Sequence, residues 1–260
     1  MPTLSRRHPA AIALLLMLGL LVTGTAYAAV APKQVQASIT NADSVDNGKK
    51  LFVANCATCH GANGLGLDEL GPSLAGVGAA SVDFQMGTGR MPMTKPGVQA
   101  KEGGQIKFSQ EEISDIAAYV ATLGPGPSVP ESEFTDGSLG DPGKGGQIFR
   151  VNCAMCHNSS GSGGALTRGK DAPSVHGASG KHIYEAMETG PQSMPVFNDA
   201  NISPEGKRDV IAYLEAQQEV GNPGGNPLGS FGPVPEGLFI WTIGLGLLVG
   251  IAVWLGQKSA

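Results

Sequence analysis

One 13-residue stretch occurs twice, and that repeat constrains the chain more than anything else in it. Gly48-Lys-Lys-Leu-Phe-Val-Ala-Asn-Cys-Ala-Thr-Cys-His60 aligns without gaps on Gly145-Gly-Gln-Ile-Phe-Arg-Val-Asn-Cys-Ala-Met-Cys-His157. Three further blocks follow in the same order: Gly71-Pro-Ser-Leu-Ala-Gly76 with Ala172-Pro-Ser-Val-His-Gly177, Met91-Pro92 with Met194-Pro195, and Ile116-Ala-Ala-Tyr-Val120 with Val210-Ile-Ala-Tyr-Leu214. Matched blocks in one order mean two copies of one unit. The copies occupy 44–124 and 143–220.

All four cysteines fall in the repeat, as Cys56/Cys59 and Cys153/Cys156, each pair followed at once by His60 or His157. Three chemistries compete for such a pattern. A disulfide in an exported chain needs no following histidine. A zinc site built from both pairs would have to bridge far more chain than ribbon-type sites do. Covalent attachment of a c-type haem uses all three residues, because positions i, i+3 and i+4 share a helical face, so two sulfurs can bond the porphyrin while the imidazole reaches the iron. The repeat points to two covalently bound haem c (heme c) groups.

The same reading accounts for an odd composition. Glycine makes up 39 of 260 residues, while Phe, Trp and Tyr total only 14. A copy of about 80 residues is marginal for a core of its own. A porphyrin supplies an apolar body that glycine-rich loops can wrap closely.

An iron held by one histidine either keeps an open position or takes a second protein ligand, and methionine in that place favours electron transfer. Met91 lies 31 residues past His60, and Met194 lies 37 past His157. Their place in the repeat makes them the candidate sixth ligands. Met93 competes in the first copy, with Met86, Met155 and Met187 as further alternatives. His176 and His182 are the alternatives that would make the second site bis-histidine or peroxidase-like.

Local signals predict a mostly α fold with long loops. Ser109-Gln-Glu-Glu112 is a capping box ahead of the apolar stripe Ile113, Ile116, Ala117 and Val120, and Gly124-Pro125 ends that helix. Ser203-Pro204 opens its counterpart with proline at the first helical position. Helices over Val45 to Cys56 and Gly146 to Cys153 lead into the two cysteine motifs. Between the copies, 125–142 carries Pro, Gly and Ser with Glu131, Glu133, Asp136 and Asp141 and no basic residue, and it reads as a solvated acidic linker. A second Gly/Pro linker covers 221–235.

Both ends of the chain are apolar. Arg6-Arg7, the run Ala10 to Val22 and Ala26-Tyr27-Ala28 have the three parts of a secretory signal, with cleavage expected after Ala28 and an uncleaved signal anchor as the alternative. Residues 237–257 contain no charge and carry Trp241 and Trp254 near their ends, which predicts one C-terminal transmembrane helix. Lys258 then faces the cytoplasm, and the haem domains lie on the extracytoplasmic side of the cell membrane. Residues 29–236 hold 14 Lys plus Arg against 22 Asp plus Glu. That balance argues against nucleic acid as a partner.

With these motifs in place, both copies resemble class I cytochrome c. More narrowly, the chain resembles the membrane-anchored diheme cytochrome c (cytochrome cc) subunit of the actinobacterial cytochrome bc1 complex. The stretches that carry this are Gly164-Ala-Leu-Thr-Arg-Gly-Lys-Asp-Ala-Pro-Ser174, His182-Ile-Tyr-Glu-Ala-Met-Glu-Thr-Gly-Pro-Gln-Ser-Met-Pro-Val-Phe-Asn-Asp199 and Pro235-Glu-Gly-Leu-Phe-Ile-Trp241. The resemblance implies two tandem class I cytochrome c domains and an electron-transfer subunit of a menaquinol–cytochrome c reductase. It implies cytochrome b and Rieske iron–sulfur subunits as partners, and electrons passed from the Rieske centre directly to an aa3-type cytochrome c oxidase. It assigns Cys56, Cys59, His60 and Met91 to the first haem, and Cys153, Cys156, His157 and Met194 to the second. No bond-making catalysis falls to this chain alone. The alternatives are a cytochrome subunit of another membrane complex, such as a cbb3-type oxidase or a dehydrogenase, and a diheme peroxidase-like enzyme.

Overall fold

The architecture is mostly α, and its two copies are assembled in the same way. The structure is a computed structural model and describes residues 9–30, 42–220 and 233–258. Arg6-Arg7 and most of the second Gly/Pro linker, 221–232, lie outside the described residues. Helix α1 (Pro9–Val30) belongs to a unit of its own. The first copy contains α2 (Ala42–Asn55), the short α3 (Ala57–His60), α4 (Gly78–Gly87) and α5 (Gln110–Ala121). Helix α6 (Ser132–Thr135) follows, and the second copy repeats the order with α7 (Pro142–Asn152), α8 (Ala154–His157), α9 (Gly180–Thr189) and α10 (Pro204–Val220). Strand structure among the described residues is limited to β1 (Gly164–Ala165) paired antiparallel with β2 (Asp171–Ala172).

In each copy the first and last helices cross at a glycine. A Cβ on Gly48 would stand 1.9 Å from the carbonyl oxygen of Asp115, and one on Gly145 would stand 1.8 Å from that of Asp209. Only glycine lets backbone meet backbone there. One turn further on, Phe52 packs on Tyr119 with ring centroids 5.3 Å apart, and Phe149 on Tyr213 at 5.5 Å. Both phenylalanines are 1% exposed and anchor the two cores.

The capping box at Ser109 forms as its sequence predicts. Ser109 accepts from the Glu112 N–H while the Glu112 carboxylate accepts from the Ser109 N–H, and Ile113, Ile116, Ala117 and Val120 are buried behind that cap. Asp141 caps α7 by accepting from the N–H groups of Gly143 and Lys144.

The segment 125–142 departs from the expected solvated linker. Its start is bonded to the first copy, where the Ala80 N–H donates to the Pro127 carbonyl at 3.1 Å. Its middle belongs to the second: Phe134 packs into that core, 6.3 Å from the Tyr184 ring, and Arg208 donates to the Glu133 carbonyl. Two of the acids that made it look solvated are caps, since Asp136 accepts from the Ser138 N–H and Asp141 caps α7. Pro, Gly and Asp serve tight turns as readily as free tethers, so composition could not separate the two.

Helix α11 (Pro233–Phe239), a π-helical turn at Ile240–Gly244 and α12 (Leu245–Lys258) make one continuous apolar rod. Its span Pro235–Gln257 is 23 residues long with mean hydropathy 2.3, and none of it is buried. Trp241 and Trp254 lie on its surface. This rod fits a membrane anchor.

Candidate functional site

Each Cys-x-x-Cys-His segment is a single tight turn hung on the end of a helix. The carbonyl of Cys56 accepts from the N–H groups of Cys59 (3.2 Å) and His60 (2.9 Å), and the carbonyl of Cys153 accepts from Cys156 (3.1 Å) and His157 (2.9 Å). The two sulfurs and the imidazole of each copy therefore emerge from one turn, as the spacing predicts.

What aims each imidazole is a residue from the second repeated block. Nδ1 of His60 is 2.8 Å from the carbonyl oxygen of Pro72, and Nδ1 of His157 is 2.9 Å from that of Pro173. A carbonyl only accepts, so Nδ1 is the donor. That fixes the ring with Nε2 as the nitrogen left for a metal, the arrangement that orients metal-bound histidines. The repeated Pro-Ser pair was the sequence signal for these two carbonyls, although spacing alone did not say what they do.

The loops between histidine and proline differ in length, spanning 12 residues in the first copy and 16 in the second, but they open with the same turn. The Gly66 N–H donates to the His60 carbonyl at 2.8 Å and the Gly163 N–H to the His157 carbonyl at 2.9 Å. Both glycines have positive φ, 85° and 81°. Side chains there would also meet backbone, at 2.6 Å from Ser73 N and 2.4 Å from the Ala172 carbonyl.

In the first copy Cys56, Cys59, His60 and Met91 all line one cavity of about 800 Å³. That volume suits a bound cofactor, whose sites span about 300–1,000 Å³. Phe52 and Val120 supply apolar wall, and Met86 and Met93 also reach it. The Met91 N–H donates to the Gln85 carbonyl at 2.9 Å, which ties the methionine loop to the end of α4. Donor set, cavity and imidazole orientation together fit a covalently attached haem.

In the second copy Cys153 and Met194 join one apolar cluster with Phe149 and Val175. Met155 is 90% exposed, and Met187 lies in the core at 2%. Of the competing histidines, the His176 ring is bonded to the Ser160 carbonyl, and His182 meets Phe84 of the other copy edge-on with ring centroids 6.1 Å apart.

The cysteines are unbridged. Burial, reinforced by the neighbouring cysteine, pushes the free thiols of Cys56 and Cys153 up to about 11. A redox-active Cys-x-x-Cys pair needs the opposite, a thiol lowered towards neutral pH. The pairs are poorly suited to thiol exchange.

One supporting residue has no local signal in the sequence. Lys207 is fully buried, bonded to Asp199 at 2.7 Å and to Glu188, with its ammonium 5.2 Å from the Tyr184 ring centre. In the repeat alignment it takes the place of Ile113, a buried apolar residue of the first copy. It holds the chain around Asp199, just past Met194, against α9 and α10.

The two copies meet face to face. The Gln99 amide clasps the backbone of Asp171, donating to its carbonyl at 2.7 Å and accepting from its N–H at 2.9 Å. Lys101 pairs with the Asp171 carboxylate at 3.2 Å, and the Ala100 N–H donates to Gln192. Thr189, Pro191 and Gln192 of the second copy wall the cavity of the first. The loop that carries Met194 thus starts at the edge of the other site.

Comparison with known proteins agrees with this geometry. The family described as "Cytochrome c" matches residues 45–124, and that described as "Cytochrome C oxidase, cbb3-type, subunit III" matches 140–214. A cytochrome bc1 complex cytochrome c subunit of Mycobacterium bovis is 44% identical over 252 residues, covering 94% of this chain and 90% of that protein. The protein of that name in Corynebacterium efficiens is 41% identical over 271 residues, covering 97% and 90%. A cbb3-type cytochrome c oxidase subunit of Azorhizobium caulinodans is 33% identical over 129 residues, covering 45% of this chain and 39% of its own length.

Proposed function

Because the chain belongs to the family of cytochrome bc1 complex cytochrome c subunits, we propose that it carries two covalent haem c groups and passes electrons from the Rieske centre to an aa3-type cytochrome c oxidase. Family membership makes it a cytochrome c electron-transfer component with covalent haem c. The finer reading rests on one observation above all: the histidine-to-proline-carbonyl bond is made twice, at 2.8 and 2.9 Å. Each copy has its own aimed imidazole, hence a place for its own haem.

In this reading Cys56, Cys59, Cys153 and Cys156 would hold the two groups through sulfur, and His60 and His157 would bind iron through Nε2. Met91 and Met194 would be the second protein ligands. A haem so ligated supplies a one-electron iron couple with a raised potential and no vacant coordination position. Around it the chain keeps water out with its apolar clusters and keeps the methionine loops fixed through Gln85 and Lys207. The second site's loop forms part of the first site's wall, which supports transfer between the two within the chain.

The rod at Pro235–Gln257 would hold the haem domains at the membrane, on its extracytoplasmic side. The basic residues Arg6, Arg7 and Lys258 beyond the two apolar segments favour that orientation. Tethering raises the local concentration at fixed membrane partners, cytochrome b and the Rieske subunit on one hand and the oxidase on the other.

Two measurements test this. Affinity purification through a tag on the full chain should bring down cytochrome b, the Rieske subunit and an aa3-type oxidase. A cbb3-type oxidase instead would favour the second reading, which the match over 140–214 supports. For the ligands, Met91→Leu should abolish the first site's methionine-to-iron charge-transfer absorption while Met93→Leu keeps it. The reverse result would move the ligand to Met93.

A further inference from the structure

Where α4 of the first copy lies against α9 of the second, the contact encloses two acids and a histidine apart from both cysteine motifs. Asp83 is 2% exposed and Glu185 0%. One donor atom from each of Asp83, His182 and Glu185 lies within 4.8 Å of the other two. Asp83 is provided for: Gln110 donates to its Oδ1 at 2.8 Å and Lys181 pairs with its Oδ2. Glu185 is not: no N–H or hydroxyl donates to either of its oxygens, and its hydrogen-bonding neighbour is the Asp83 carboxyl itself, so only a shared proton lies between the two acids.

Two carboxyl groups sealed together from water are costly to ionise unless a cation takes the place of the proton between them, and native interiors keep such groups where an ion, a water or a ligand completes them. The surroundings point to an ion. His182 and Glu185 stand one turn apart on α9 and project from one face, while Asp83 reaches in from α4. Gly87 leaves room for the ring, because a Cβ there would lie 2.7 Å from His182 Nε2.

We propose that Asp83, His182 and Glu185 bind a divalent first-row transition ion, best matched by Zn²⁺, which ties the two haem domains together across their contact. Zn²⁺ accepts imidazole nitrogen and carboxylate oxygen, and three protein donors are the usual complement of a zinc site that keeps one position open. Ca²⁺ and Mg²⁺ take oxygen ligands, and more of them, so an imidazole in so small a set disfavours both. Lys181 now supplies the positive charge beside Asp83. Its side chain is 33% exposed, so the ammonium can turn to solvent when a dication takes its place.

The test uses the full-length haem-loaded protein in detergent, stripped with a chelator and titrated with Zn²⁺ by calorimetry. One Zn²⁺ per chain is expected, with X-ray absorption at the zinc edge showing only nitrogen and oxygen neighbours. His182→Asn and Glu185→Gln should each weaken binding at least about tenfold. Gly87→Ala, which removes no donor, should weaken it by displacing the ring. Lys181→Met should strengthen it, by about tenfold, because a competing cation is gone. Absence of binding, sulfur neighbours, or affinity unchanged in both His182→Asn and Glu185→Gln would overturn the site. Haem absorption reports whether each variant is folded. If a donor variant fails to fold, Lys181→Met decides, and an unchanged affinity there overturns the proposal.

Discussion

Replacing Cys56 and Cys59 together with serine is expected to leave one covalent haem per chain in place of two, measured as haem-to-protein ratio in the denatured, extracted protein. Serine keeps the size of the side chain and removes the sulfur that bonds the porphyrin. The first copy would then have to fold around its cavity of about 800 Å³ without a covalent occupant. Its core of Phe52, Ile116 and Val120 lines that space, and so large an apolar void collapses or opens at a cost beyond what a domain of about 80 residues can carry. The second copy has its own core and its own turn, so its haem spectrum should persist. Two haems retained, or none, would mean that the sites are not independent attachment points.

The second large effect is expected at a position without functional chemistry. Gly145→Ala puts a methyl group where 1.8 Å separates it from the Asp209 carbonyl oxygen. The obstacle is backbone, which cannot rotate aside, so α7 and α10 must part. Overpacking of this kind costs roughly 3 kcal/mol, offset by about 1 kcal/mol from alanine's better helix propensity. A net loss of about 2 kcal/mol lowers the melting temperature of a domain this size by roughly 10 °C. Thermal loss of the second haem's methionine absorption is the readout. Gly48→Ala should do the same to the first, where the approach is 1.9 Å. An unchanged melting point in either variant would mean that the helices do not cross so closely.

Some of the site could be read from the chain because its determinants are short-range. The cysteines and histidine of each motif lie within one turn, and a spacing of i, i+3 and i+4 states their common face without knowledge of anything distant. The capping box at Ser109 and the buried stripe behind it are equally local. The repeat extended this reach, pairing Met91 with Met194 as candidate ligands before either was seen near a cysteine. It also placed Pro72 beside Pro173, while leaving unsaid that their carbonyls hold the histidines. Lys207 is not legible from its own type, because a lysine in a helix usually marks the solvent face. Its alignment with the buried Ile113 is the sequence feature that matches its burial.

The acidic segment 125–142 is ambiguous in the sequence for a related reason. Its residues are those of free tethers and of tight turns alike, and which of the two they form depends on whether Pro127 and Phe134 find partners elsewhere.

By itself, then, the sequence determined that there are two copies, that each carries a one-turn Cys-x-x-Cys-His motif, and that the chain ends in an apolar rod, because each of these is written in contiguous residues or in their repetition. Tertiary structure alone decided how the copies face each other: Gln99 on Asp171, Asp83 beside Glu185 and His182, and the second copy's loop closing the first copy's cavity. These contacts join residues from different copies. They have no counterpart within a repeat and no period along the chain, so they exist only once the two domains have packed.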